Sequence, residues 1–209
     1  MFDELTTRLR NAPMKPRIAA APAAAGQVRL IGGAWRGSKL PVPALPGLRP
    51  TSDRVRETLF NWLHGELAGA RVLDLFAGTG ALGFEAASRG AACVDLVESA
   101  PLAIDALRSA AARLGRDGSG GKVQVHAQSA TAFLAAQAGP WDLAFIDPPF
   151  AGGLWAEALA ALVPRLAPRA RVYVESPVYA VPAVPAGWVL LRETATREVR
   201  AALYKVEQG

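Results

Sequence analysis

The residues best placed to do chemistry in this 209-residue chain are Asp147-Pro148-Pro149-Phe150, which follow the apolar run Leu143-Ala144-Phe145-Ile146. A carboxylate and a proline-stiffened carbonyl at a strand end are two acceptors aimed at one point in space. Such a pair suits an amino group on an aromatic ring, a poor nucleophile because its lone pair is delocalised. Two fixed acceptors bind both of its N–H bonds and hold the nitrogen as it becomes tetrahedral. Asp147 supplies the carboxylate, Pro148 the carbonyl, Pro149 stiffens the turn, and Phe150 offers a flat face on which an extruded base stacks. The proton can leave after transfer, so Asp147 need not be a strong base. A plain proline turn at a strand end is the bland alternative, and the loop upstream weighs against it.

That loop is Leu73-Asp74-Leu75-Phe76-Ala77-Gly78-Thr79-Gly80-Ala81-Leu82-Gly83. Gly78, Gly80 and Gly83 satisfy G-x-G-x-x-G between a strand and a helix, where missing Cβ atoms let a ligand lie against the backbone. The pattern also describes dinucleotide sites. Asp74 tilts the choice: it lies four residues before Gly78, where a dinucleotide site is usually apolar. A carboxylate there can bind the ammonium of an aminoacyl cofactor, which a nicotinamide dinucleotide lacks. Glu98, 20 residues after Gly78, is placed to accept both ribose hydroxyls. The pattern therefore favours an aminoacyl nucleoside cofactor, S-adenosylmethionine, with no metal. It is held by Asp74, Phe76, Ala77, Gly78, Thr79, Gly80, Glu98 and Ser99.

The elements that must position these groups follow from periodicity. From residue 71 onward strand-like and helix-like runs alternate. Strands are expected at 72–76, 93–98, 123–126, 143–146 and 172–175, and helices at 81–88, 101–114, 131–137 and 154–166. Alternation of this kind implies a parallel sheet with helices on both faces. Runs at 188–194 and 198–206 are joined by a short turn and read as an antiparallel edge hairpin. The expected fold is therefore α/β, a Rossmann-like seven-stranded methyltransferase sheet preceded by a small basic hairpin and a helix. In that hairpin a first strand leads to Gly32-Gly33 and a second runs from Trp35 to Leu40. Four prolines then mark an extended connection over 41–50, and Ser52 or Thr51 caps a helix carrying Val55, Leu59, Trp62 and Leu63. Residues 1–27 are expected to be a disordered tail, 28–66 an RNA-facing appendage, and 67–209 the cofactor-binding domain.

Charge points to the partner. The net charge is +5, and the segment 28–56 alone supplies that excess: Arg29, Arg36, Lys39, Arg49, Arg54 and Arg56 against Asp53. A one-signed cluster is the footprint of phosphate binding, whereas a merely solvated face mixes signs. Trp35, inside this segment, could stack on RNA. The single cysteine, Cys93, excludes a disulfide framework and a cysteine zinc site and reads as a small core residue in a reducing, cytoplasmic setting. His64 and His126 have no partner at metal or triad spacing and read as incidental. No apolar run is long enough for a transmembrane span.

With these motifs together, the chain resembles the bacterial methyltransferases that modify N2 of a guanine in small-subunit (16S) ribosomal RNA, members of the class I S-adenosylmethionine-dependent methyltransferases. The resemblance rests on Arg29-Leu30-Ile31-Gly32-Gly33-Ala34-Trp35-Arg36-Gly37 and Leu48-Arg49-Pro50-Thr51 through Arg56-Glu57-Thr58-Leu59-Phe60-Asn61. It rests also on Asp74 through Gly80 and on Asp147 to Phe150. It implies a monomer acting on 16S rRNA in the small subunit or its assembly intermediate, with S-adenosylhomocysteine as product and Arg49 and Thr51 near the active site. The family commonly carries Asp or Asn after the third strand to bind the adenine amino group; Ser129, followed by Ala130, stands there in this chain. Other readings are an adenine-N6 methyltransferase acting on DNA or RNA, a nicotinamide-dependent oxidoreductase, and an assembly factor without catalysis. Little chain is left for the separate target-recognition domain that the DNA enzymes use. No second nucleotide-binding half supports the oxidoreductase.

Overall fold

The computed structural model describes residues 26–45, 51–137 and 139–207. It opens with β1 (Gly26–Arg29) and β2 (Lys39–Val42), paired antiparallel with Val28 opposite Leu40. The helix α1 (Asp53–Trp62) follows, capped by Ser52, whose Oγ accepts the Val55 N–H at 3.4 Å. The alternating part then runs β3 (Arg71–Asp74), α2 (Ala81–Ser88), β4 (Cys93–Glu98), α3 (Pro101–Leu114), β5 (Lys122–Ala127), α4 (Ala130–Ala136), β6 (Trp141–Ile146), α5 (Trp155–Leu162) and β7 (Leu166–Pro177). The chain ends in β8 (Trp188–Ala195) and β9 (Val199–Val206). Seven strands form one sheet in the order β5-β4-β3-β6-β7-β9-β8, with the first five parallel and β9 antiparallel to both neighbours. This is the expected architecture.

The central strands β3, β6 and the second half of β7 are buried on both faces, and their side chains alternate between two cores. Val72, Phe145 and Tyr173 face one core, which also takes Leu59 and Phe60 of α1, Phe84 of α2 and Leu107 of α3. Leu73, Ala144, Ile146, Val172 and Val174 face the other, filled by Phe133 of α4 and Trp155 and Leu159 of α5. Val28, Leu30, Trp35 and Leu40 of the N-terminal hairpin join the first core. Glu85, fully buried on α2, fixes the hairpin further: its carboxylate accepts the backbone N–H of Ile31 at 2.7 Å and of Gly32 at 2.8 Å. The segment is thus bound to the helix that leaves the glycine loop.

Several boundaries differ from the sequence expectation. The hairpin begins at Gly26, within the segment expected to be tail; residues 1–25 lie outside the described residues, as do 46–50 of the proline-rich connection. The second strand begins at Lys39 because the chain turns over 32–37, with Gly33 at φ 74° and Gly37 at φ 83°. Helix α5 stops at Leu162 because Pro164 cannot continue the hydrogen-bond ladder; a single 3₁₀ turn leads into β7, which is far longer than expected. Cys93 is half-buried on β4. His126 Nε2 lies 2.8 Å from Asp95 Oδ1 on the adjacent strand.

Candidate active site

Strand order places the site. After β3 the chain winds outward through β4 and β5, then returns to lay β6 and β7 on the other side of β3. In an open parallel sheet, connecting loops diverge at such a switch and leave a crevice beyond the carboxyl ends of the strands. Asp74 ends β3 and Asp147 immediately follows β6. Both line a cavity of about 1080 Å³ together with Phe76, Gly78, Glu98 and Thr51. That exceeds the upper range for one small-molecule pocket and accommodates a cofactor with a base beside it.

Beyond β3 and β4, the cavity is lined by Asp74, the glycine loop and Glu98. Asp74 is buried, and its Oδ2 accepts the Gly83 N–H at 3.0 Å. Desolvation pushes its carboxyl up to about 7; the Gly83 bond opposes the shift and the Glu98 charge adds to it. A buried carboxylate that is costly to ionise and opens onto a cavity is suited to a ligand cation. Glu98 is organised by the backbone: Oε2 accepts from Gly78 N at 2.9 Å, and Oε1 from Ser99 N at 2.7 Å and Ala100 N at 2.8 Å. Of about four acceptor positions on a carboxylate, three are taken, leaving room for one ribose hydroxyl rather than two without rearrangement. Ser129 and Ala130 line the same cavity further along, and Ser129 Oγ already caps α4 by accepting the Ala132 N–H at 3.2 Å. One lone pair remains for an adenine amino group.

The three glycines serve different ends. Gly78 lines the cavity in the left-handed region at φ 51°. Gly80 does not line it: at φ 75° it turns the chain into α2, and a Cβ there would sit 2.6 Å from Phe84 and Leu107 side-chain atoms. Gly83 permits helix–sheet packing, since an added Cβ would lie 2.2 Å from Leu96 Cδ2. The expected ligand contact through Gly80 is corrected to a conformational role. Phe76, Ala77, Thr79 and Ser99 do line the cavity.

At the β6–β7 end stand the acceptors. Asp147 is half-buried, Pro148 is buried, and Pro149 and Phe150 are exposed. The Phe150 ring lies 5.9 Å from that of Trp155, whose Nε1 donates to the Glu175 carbonyl at 2.8 Å, so the aromatic is backed by a fixed neighbour. Thr51 Oγ1 donates to Asp147 Oδ2 at 3.5 Å, the long end of a hydrogen bond. Burial, then the charges of Glu175 and Asp74, hold the Asp147 carboxyl well above its usual range, opposed by Thr51. Glu175 is the group that sequence reasoning missed. It lies near the carboxyl end of β7 beside Asp147, lines the cavity and is 6% exposed. Burial raises its carboxyl, while the Tyr173 and Thr51 hydroxyls oppose the shift. The available signal was an acidic residue ending an otherwise apolar parallel strand, the same signal that singled out Asp147.

The expected RNA-facing residues divide. Arg29, Arg36, Lys39 and Arg54 are exposed, and Arg49 lies outside the described residues. Trp35 is 5% exposed, packed edge-on against Phe84 and against the Gly120 backbone, so it is a core residue rather than a stacking platform. Arg56 is fully buried: it donates to Asp53 Oδ1 at 2.7 Å and to the Arg29 carbonyl at 3.0 Å, with Glu85 3.9 Å away. Its charge is spent inside the protein. Thr51 is buried at the cavity wall beside Asp147.

Comparison with known proteins agrees with this site. The family model described as conserved hypothetical protein 95 matches residues 28–205. The ribosomal RNA small subunit methyltransferase D of Escherichia coli (strain K12) is 48% identical over 185 residues, covering 87% of this chain and 91% of that protein. The protein of the same name from Haemophilus influenzae is 42% identical over 188 residues, covering 88% and 96%. Among solved structures, yhhF from Escherichia coli superposes with a TM-score of 0.77 at 46% identity, covering 87% of this chain and 99% of that one. With the glycine loop and the Asp147 motif lining one cavity, and with relatives alike over nearly their whole length, the chain belongs to the conserved hypothetical protein 95 family, that of the small-subunit ribosomal RNA methyltransferases D.

Proposed function

We propose that this protein methylates the exocyclic N2 amino group of a guanine in 16S ribosomal RNA, using S-adenosylmethionine. The observation that carries the reading is that Asp147 and Pro148 line the same cavity as Asp74, Gly78 and Glu98. When bound, S-adenosylmethionine supplies an electrophilic methyl group on a sulfonium. Asp74 and Glu98 would bind its ammonium and a ribose hydroxyl, and Ser129 and Ala130 would border its adenine. Asp147 and the Pro148 carbonyl accept the two amino hydrogens and keep the nitrogen lone pair directed into the cavity. This stabilises the nitrogen as it becomes tetrahedral, where preorganised acceptors contribute most. Phe150, backed by Trp155, stacks on the base. The proton passes to Asp147, whose elevated carboxyl pKa suits it to hold that proton before releasing it to solvent. Arg29, Arg36, Lys39, Arg54 and Arg49 contact phosphates, and the protein acts as a monomer.

The test is methyl transfer from labelled S-adenosylmethionine to unmodified small subunits, naked ribosomal RNA and duplex DNA, followed by digestion to nucleosides. N2-methylguanosine from the RNA samples is the expected product. Label in N6-methyladenosine, or in DNA alone, would sink the assignment.

A further inference from the structure

The deep wall of the cavity holds a second carboxylate whose position matches a second donor on a guanine. Strands β6 and β7 run parallel with Ile146 opposite Val174, so Asp147, the first residue beyond β6, stands beside Glu175, which is still within β7 and pairs with Ala201 of β9. Both side chains reach the same cavity. The Tyr173 hydroxyl donates to Glu175 Oε2 at 2.7 Å, and the Trp155 indole N–H fixes the backbone beneath it by donating to the Glu175 main-chain carbonyl at 2.8 Å. Tyr173 is itself fully buried against Phe145. A buried carboxylate fixed this firmly and open to a ligand pocket calls for a partner with a hydrogen to give.

A guanine presents such a hydrogen beside the amino group. Its N1–H and N2 amino group are adjacent donors on one edge, whereas an adenine places a lone pair at N1 next to its amino group. When both are ionised, two neighbouring carboxylates match the first pattern and repel the second. We propose that Glu175 accepts the guanine N1–H while Asp147 and Pro148 hold the N2 amino group, making Glu175 the residue that selects guanine over adenine. The inference rests on the guanine-N2 reading above. It assigns Tyr173 the task of fixing the Glu175 carboxylate and Thr51 that of tying it to Asp147, since the Thr51 hydroxyl interacts with both acids. The arrangement couples chemistry and selection: a base that cannot satisfy Glu175 leaves a buried acceptor unpaired at the moment its amino group must be aligned.

The experiment compares reconstituted small subunits carrying guanine or 2-aminopurine at the mapped target. 2-Aminopurine keeps the amino group but has a lone pair at N1. The native enzyme should prefer guanine by about 10- to 100-fold in kcat/KM, the worth of one hydrogen bond to a charged group. Glu175→Gln can turn either its carbonyl or its amide nitrogen to the base, so its preference should fall to about one or below, with affinity for S-adenosylmethionine unchanged. N2-methylguanosine formed by a native enzyme that uses both bases equally, or by a Glu175→Gln enzyme that keeps the native preference, overturns the role of Glu175 and leaves the guanine-N2 reading standing. Label in another nucleoside overturns both.

Discussion

Replacing Asp74 with Asn separates what this carboxylate costs the fold from what it does for the cofactor. Burial raises its carboxyl from 3.8 to about 7. At about 1.4 kcal/mol per unit, ionising it in the ligand-free cavity costs on the order of 4 kcal/mol at high pH, an upper figure for a buried group. The sign follows from linkage: a carboxyl with a raised folded pKa contributes its stability in full below 3.8 and loses it as pH rises through about 7. The melting temperature of the ligand-free protein should therefore decline from about pH 4 to about pH 7 and level off above it. Asp74→Asn should flatten that decline and melt higher at pH 8, by about 2–4 °C if only ~1 kcal/mol of the cost is realised. Cofactor binding runs the other way, because an ammonium binds the ionised carboxylate. With a pKa of about 7, S-adenosylmethionine should bind about fivefold more weakly at pH 6 than at pH 7, and about fifteenfold more weakly at pH 5.5. Above about pH 8 the ligand's α-amino group loses its own proton and affinity falls again. Calorimetric titration from pH 5.5 to 8.5, with parallel thermal melts, reads both effects. A pH-independent affinity in the native protein, or an Asp74→Asn variant that melts lower at pH 8, would refute the reasoning.

The other predictions rest on separate parts of the structure. Asp147→Asn should lower kcat by about 10²–10³, the worth of one preorganised transition-state contact, with S-adenosylmethionine affinity within about twofold; equal loss of both would remove Asp147 from its role. Gly83→Ala should lower the melting temperature through a cost of about 1–3 kcal/mol, because its Cβ meets Leu96 Cδ2 at 2.2 Å; a neutral thermal melt would contradict that packing. Trp35→Ala should cost about 3–5 kcal/mol in urea denaturation, the effect of emptying a core site. Arg36→Ala and Lys39→Ala should leave stability within about 0.5 kcal/mol. Each should reduce the slope of log affinity for small subunits against log salt by about 0.7–0.9 if its charge meets a phosphate. A salt slope unchanged by either would move RNA binding elsewhere.

Much of this protein was legible in order along the chain. The strand and helix alternation from residue 71, the glycine loop and the Asp147 motif depend on local periodicity and turn chemistry, which a sequence displays directly. Helices α2 and α3 and strand β4 fall on the expected residues because Gly90, Pro101 and Gly115 mark their ends locally. What was misread depended on neighbours distant in sequence. Trp35 and Arg56 carry the chemistry of RNA contacts, yet the hairpin folds onto α2 and buries one against Phe84 and the other beside Glu85, 29 residues further along. Gly80 and Gly83 fit a ligand-binding pattern, but their missing side chains make room for Phe84, Leu107 and Leu96. Glu98 is placed as expected, but three backbone amides already occupy most of its acceptor capacity.

By itself, then, the sequence determined the parallel sheet with its antiparallel edge, displayed as alternation along the chain, and the glycine loop and Asp147 motif, each written within a dozen consecutive residues. Only the tertiary structure decided which cations remain exposed, which glycines touch the cavity, and that Glu175 stands next to Asp147. The physical reason is register: Asp147 and Glu175 lie 28 positions apart and meet only because β6 and β7 pair with Ile146 opposite Val174, a relation written in the packing of α5 across both strands rather than in either segment.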